Sequence, residues 1–161
     1  MRRHGAVIDP FTGAGPGSNC GDTSHSVWES AALAQLAYSP TGLVCTGWSA
    51  SLPDRGAVFE DCDRPAALST SSPAIVAWIE LFGARAGDAL QLTLAAPDGT
   101  ALAETRAIID KDRAREFRYI GRKRPAGGWS KGIYHVRYKV TRTVGNEPEV
   151  ALDVTREVDI R

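Results

Sequence analysis

Apolar and polar positions alternate through the second half of the chain and not through the first. In residues 133–144 (IYHVRYKVTRTV), Tyr134, Val136, Tyr138 and Val140 fall on one side. His135, Arg137, Lys139 and Thr141 fall on the other. A period of two is the mark of a half-buried strand, because successive side chains of an extended backbone point to opposite faces. Residues 150–161 repeat the pattern, which predicts Val150, Leu152, Val154, Val158 and Ile160 on a buried face, with Arg156 as the exception. In residues 88–96, Leu90, Leu92 and Leu94 share a face. Pro97-Asp98-Gly99-Thr100 is a turn signal, and residues 101–109 return as a hairpin partner. Residues 74–82 (AIVAWIELF) are apolar on both faces, which predicts a strand covered by two layers with Trp78 inside it. Residues 83–87 and 145–149 are turns, 109–116 a polar connection, 116–121 a short strand and 122–132 a long loop.

The first half is punctuated rather than periodic. Residues 3–8 are extended until Asp9-Pro10 breaks them, because proline fixes its own φ and biases the residue before it away from helix. Residues 12–24 are Gly/Ser/Asn-rich loop. Residues 26–38 predict one helix, with Ser26 as N-cap and Glu29 at capping-box spacing. Val27, Ala31, Ala34 and Tyr38 lie on one side of it, and Ser39-Pro40 ends it. A strand fits within residues 42–51, followed by irregular connection to residue 73. Three segments result: an extended piece and linker (1–25), a short helix and connector (26–73) and a β-rich region (74–161).

Six or seven strands with short turns and no intervening helices predict a mainly β fold. The expected form is an antiparallel β-sandwich, immunoglobulin- or fibronectin-like, behind a loop-rich N-terminal segment. A parallel sheet would need helical crossovers, which the pattern lacks.

Composition narrows function mainly by exclusion. The 161 residues suit one domain with a real core. Nineteen Lys+Arg balance nineteen Asp+Glu, which argues against a dedicated nucleic-acid binder or a basic membrane-surface protein. No apolar run approaches the ~20 residues of a membrane span. Residues 1–8 carry two arginines and no apolar core, unlike a signal peptide.

The chemistry-bearing residues are sparse. His4, His25 and His135 form no H-E-x-x-H or H-x-H spacing, so no zinc motif of those kinds is present. Gly13, Gly15 and Gly17 lack the flanking strand, lysine and helix of a phosphate loop. Cys20, Cys45 and Cys62 allow one disulfide among three pairings, or three reduced thiols. Residues 111–124 hold seven basic residues against two acids: Lys111, Arg113, Arg115, Arg118, Arg122, Lys123 and Arg124. Such a run either faces water or grips an anionic polymer. Trp48 and Trp129 sit beside loops, where they would line a sugar or peptide groove or pack beneath the loop. The candidate binding residues are therefore Trp48, Trp129, Arg122, Lys123 and Arg124.

Residues 2–13 (RRHGAVIDPFTG) resemble the run that follows the H-L-H-F-E motif of lysostaphin/LytM-type zinc metallopeptidases, which are peptidoglycan endopeptidases. In that family the last catalytic strand carries H-x-H and ends in basic residues, a short Gly-containing turn and V-D-P. Arg2-Arg3-His4-Gly5-Ala6-Val7-Ile8-Asp9-Pro10-Phe11 would be that exit. The rest is similar to the β-rich C-terminal region of some Gram-negative members. The matching residues, in order, are Cys20-Gly21, Val27-Trp28, residues 77–83, Ala86-Gly87-Asp88 and Pro97-Asp98-Gly99. Tyr119-Ile120-Gly121-Arg122-Lys123-Arg124-Pro125 and Gly128-Trp129 complete the series.

The resemblance implies a non-catalytic accessory domain of a cell-wall peptidase. The family's H-x(3)-D and H-x-H ligands would lie upstream, so no zinc site, no cofactor and no enzymatic activity are expected of this chain. Met1 would be an internal start or a cloning boundary. Implied partners are a catalytic domain in cis, and peptidoglycan or an envelope protein; the implied location is periplasmic or secreted. The alternative is an independent envelope module that binds glycan or protein.

Overall fold

The computed structural model describes residues 2–11, 13, 26–35, 39–54, 56, 62 and 67–161. The chain divides into two compact units, Met1–Pro40 and Thr41–Arg161.

In the first unit β1 (Arg2–Arg3) pairs antiparallel with β2 (Ala6–Val7), Arg2 opposite Val7 and Arg3 opposite Ala6. The expected extended run over residues 3–8 is thus folded back on itself. His4 and Gly5 both take positive φ, 49° and 84°, as a tight two-residue hairpin turn demands. Asp9 then accepts a hydrogen bond from the Phe11 amide on its carboxylate and one from the Gly13 amide on its carbonyl. The helix is a single turn, α1 (Ser30–Leu33), with Glu29 at the N-cap position and no side-chain cap. Ser26 does not cap it. Its hydroxyl donates to the Pro10 carbonyl and accepts from the Trp28 amide, a local side-chain turn that competes with helix initiation. Tyr38, Cys20, Gly15, Gly17 and His25 lie outside the described residues.

The second unit is mainly β. One sheet has three strands, β3 (Gly42–Ser49), β4 (Ala74–Ala84) and β7 (Arg113–Lys123), in the order β3-β4-β7. The other has four: β5 (Ala89–Ala95), β6 (Ala101–Ile108), β8 (Gly132–Val144) and β9 (Glu147–Ile160), in the order β6-β5-β8-β9. Every pairing is antiparallel. β6 belongs to the sheet of β5 rather than that of β4, the division of a fibronectin-like sandwich.

The alternating positions meet in one core. β4 contributes Ile75, Ala77, Ile79 and Leu81; β5 contributes Leu90, Leu92 and Leu94; β8 contributes Tyr134, Val136, Tyr138 and Val140. β4 is buried on its other face as well, where Trp78 packs with Cys45 and Phe117.

Two expectations are corrected. Residues 113–123 form one long strand instead of a connection followed by a short strand. Their polarity hid it, because Glu116 is buried between Arg113 and Arg118, and Arg115 pairs with Glu80. Val150 is exposed, not buried. The register slips between Val140 and Thr141, pairing Val140 with Leu152 but Thr141 with Val150. The extra residue of that bulge reverses the facing of everything before it on β9.

Candidate functional site

The two candidate tryptophans do not form a groove. Trp129 is 6% exposed and belongs to the core. Its indole N–H donates to the Ser72 carbonyl at 2.8 Å, and its ring meets Tyr134 edge-on. Trp48 sits opposite Ala77 and packs against the same core from β3. The Trp129 ring is consumed by packing beneath the neighbouring loop, which corrects its assignment as a binding residue, whereas Trp48 is half-buried on β3.

The basic run divides in two. Three arginines of its first part are paired with carboxylates: Arg113 with Asp110 and Glu116, Arg115 with Glu80, and Arg118 with Glu116. Its second part is not paired in this way. Arg122 donates to the Leu102 carbonyl and Arg124 to the Ser71 carbonyl, neutral acceptors that orient a guanidinium without cancelling its charge. Among the described residues, Arg122, Lys123 and Arg124 have no ion pair.

One of these cations, Lys123, borders a cleft. It encloses about 480 Å³ on the face of the three-stranded sheet turned away from the core, within the size range of small-molecule sites. Val76 opposite Gly121, and Trp78 opposite Tyr119, place these residues on that outer face. Leu52 and Pro73 form further apolar walls, and Lys123, on the face of Tyr119 and Gly121, stands at the rim, whereas Arg122 alternates to the other face and turns its guanidinium to Leu102 on β6. The Tyr119 ring is 49% exposed and Leu52 is 69% exposed. Gly121 is required by close approach: a Cβ there would stand 2.8 Å from the Ile75 carbonyl oxygen and 2.9 Å from Val76. A second cleft of about 300 Å³ lies by Gln91 and Arg106, but Glu104 already pairs with that arginine and accepts from that glutamine.

Two buried acids are structural. Asp88, fully buried, takes a two-pronged contact from Arg142, from Nε at 2.8 Å and from Nη2 at 2.7 Å. Burial works to raise the Asp88 pKa, but the hydrogen bonds from Arg142 and the Arg85 amide outweigh it and hold the carboxyl below its usual range. The Arg142 guanidinium also reaches Thr41 and the Gly83 carbonyl, tying β4, β5 and β8 together. Glu80 is 3% exposed on the outer face, with Oε1 bound by Arg115 and Oε2 without a hydrogen-bond partner. Cys45, on the same face, is disulfide-bonded to Cys62.

Among the described residues, no three His, Cys, Asp or Glu side chains stand together to hold a metal ion, so these residues do not fit a zinc ion. His4 is exposed in the hairpin turn, and His135 meets Glu157 at 3.3 Å on the surface. No helix among the described residues is long and apolar enough to cross a membrane.

The outer-face residues Leu52, Val76, Tyr119 and Gly121 escaped the sequence reading. A signal was present for two of them. Tyr119 is out of phase with Ile120, and the unbroken apolarity of residues 74–82 gives Val76 a face away from the core.

No family model matches the sequence, and no curated protein matches it. Among solved structures, the chain is similar to one described as the crystal structure of the C-terminal domain of Wzt. Identity is 9% and the TM-score 0.44, over 78% of this chain and 76% of that one. A likeness of that degree says nothing of function. The sandwich architecture rests on the strand pairing itself.

Proposed function

We propose that this chain is a non-catalytic accessory domain of a lysostaphin/LytM-type cell-wall peptidase, acting in the periplasm or outside the cell. The observation that carries the reading is the opening hairpin. The residues similar to the family's post-catalytic exit pair as two short strands across a Gly-containing turn, with Asp9-Pro10 directly after. The Cys45–Cys62 bridge suits an oxidising compartment. The partner in cis would be the zinc domain; the domain would pack on it or position it on peptidoglycan or an envelope protein.

The reading frame upstream of Met1 tests this. An in-frame H-x(3)-D followed by H-L-H-F-E is the expected result. A natural stop codon and a strong ribosome-binding site directly before Met1 would overturn it. A second reading, an independent envelope-binding module, is favoured by the cleft at Tyr119 and by Lys123 at its rim, which has no ion pair among the described residues.

A further inference from the structure

Resting on the proposed cell-wall role, we infer that the cleft over β4 and β7 is a subsite for a carboxylated pyranose, with its ring on Tyr119 and its carboxylate at Lys123. Charge is the first argument. Within one basic run, three arginines are matched to buried or half-buried acids, while Lys123, on the cleft side of β7, has no ion pair among the described residues. A site that keeps positive charge uncompensated beside an apolar wall complements an anion with an apolar body.

The floor decides what kind of body. β4 is hydrogen-bonded to β3 on one side and to β7 on the other. Its main-chain groups are already spent, so the floor of the cleft at β4 offers no ladder to an added peptide strand. What it offers is a half-exposed aromatic ring, aliphatic side chains and a bare glycine at Gly121. A pyranose presents a flat C–H face to such a ring. A purely apolar ligand would leave Lys123 unmatched. A polyanion would meet an apolar wall and a chain of zero net charge.

The test is titration of the full chain, by calorimetry and amide NMR, with the disaccharide of N-acetylglucosamine and N-acetylmuramic acid. The same disaccharide with its carboxyl reduced to an alcohol serves as the matched probe. The acid form should bind, moving the amides of residues 51–52 and 119–123. The reduced form should bind about tenfold more weakly, as should the acid form to Lys123→Gln or Tyr119→Ala. Tyr119→Phe should retain binding, since the ring and not the hydroxyl makes the contact, and Lys139→Gln on the other sheet should change nothing. Equal binding of the two sugar forms, shifts elsewhere, no binding, or an acidic peptide taking the cleft in preference would each overturn the inference. The two proposals fail separately. Sugar binding without upstream zinc motifs keeps the subsite and removes the peptidase; upstream motifs without sugar binding do the reverse.

Discussion

Arg142 shows how much a single side chain can carry in a sandwich of this size. It lies on β8, pairs with Asp88 at the start of β5, and also donates to the Gly83 carbonyl on β4. A buried pair of this kind gives little net stability when whole, but removing one partner strands the other charge. Arg142→Met should therefore lower the unfolding free energy by about 3–5 kcal/mol, read from urea denaturation at pH 7. The pH dependence follows in sign from Asp88. Burial opposes ionisation, yet the hydrogen bonds from Arg142 and the Arg85 amide leave the native pKa below the ordinary carboxylate value. The unfolded chain then takes up the proton first, at about pH 3.9. The stability from Asp88 is complete above that value and is lost as pH falls through the lower native pKa. Urea midpoints between pH 7 and pH 2 should show this loss in the wild type and a shallower one in Asp88→Asn. An equally steep loss in the variant would assign the acid sensitivity to other carboxylates.

β4 is the element on which the fold turns. It is the central strand of its sheet and the one strand predicted to be covered on both sides, and the structure buries Ile75, Val76, Ala77, Trp78, Ile79 and Glu80 in succession. That burial depends on β3 offering no side chain at Gly47. A Cβ there would overlap the Trp78 ring. Gly47→Ala should force the indole aside and cost about 1–3 kcal/mol. The check is a red shift in tryptophan emission together with a lowered urea midpoint. An unchanged spectrum and midpoint would mean that the ring has room to spare. At the same scale, β7 shows how charge can disguise a strand. Arg113, Arg115, Glu116 and Arg118 have the composition of a solvated connection, yet they pair with one another and with Glu80. A polar run becomes a sandwich strand when its charges find partners, here Glu116 within the strand and Glu80 on the neighbouring one.

At the scale of the whole molecule, one disulfide fastens residue 62 to β3 across a separation of 17 residues. Closing a loop of that length is worth about 3 kcal/mol by restricting the unfolded chain. Cys62→Ser should therefore lower stability by about that amount. Thiol titration of the denatured protein should find one thiol before reduction and three after it. Three thiols before reduction would place the chain in a reducing compartment and remove one support for the cell-wall role. The strand faces, the turn at residues 97–100, the hairpin of β5 with β6 and the sandwich class could all be read along the chain. Each follows from backbone geometry acting between near neighbours: alternation sets a face, and Pro, Asp and Gly set a turn. The fate of the charges could not be read in that way. Arg115 finds Glu80 across 35 residues and Arg142 finds Asp88 across 54, contacts that exist only once strand register is set. For the same reason the exposure of Val150 waits on a bulge between strands, and the burial of Trp129 on the Ser72 carbonyl beneath it. Lys123 at the rim of the cleft follows suit, since a lysine without a partner looks the same in sequence as one with a partner. Local patterning is enough to say which side of a strand meets the core. What stands beside that strand, and so which polar groups are left over for a ligand, is settled by packing between segments that are distant in the chain.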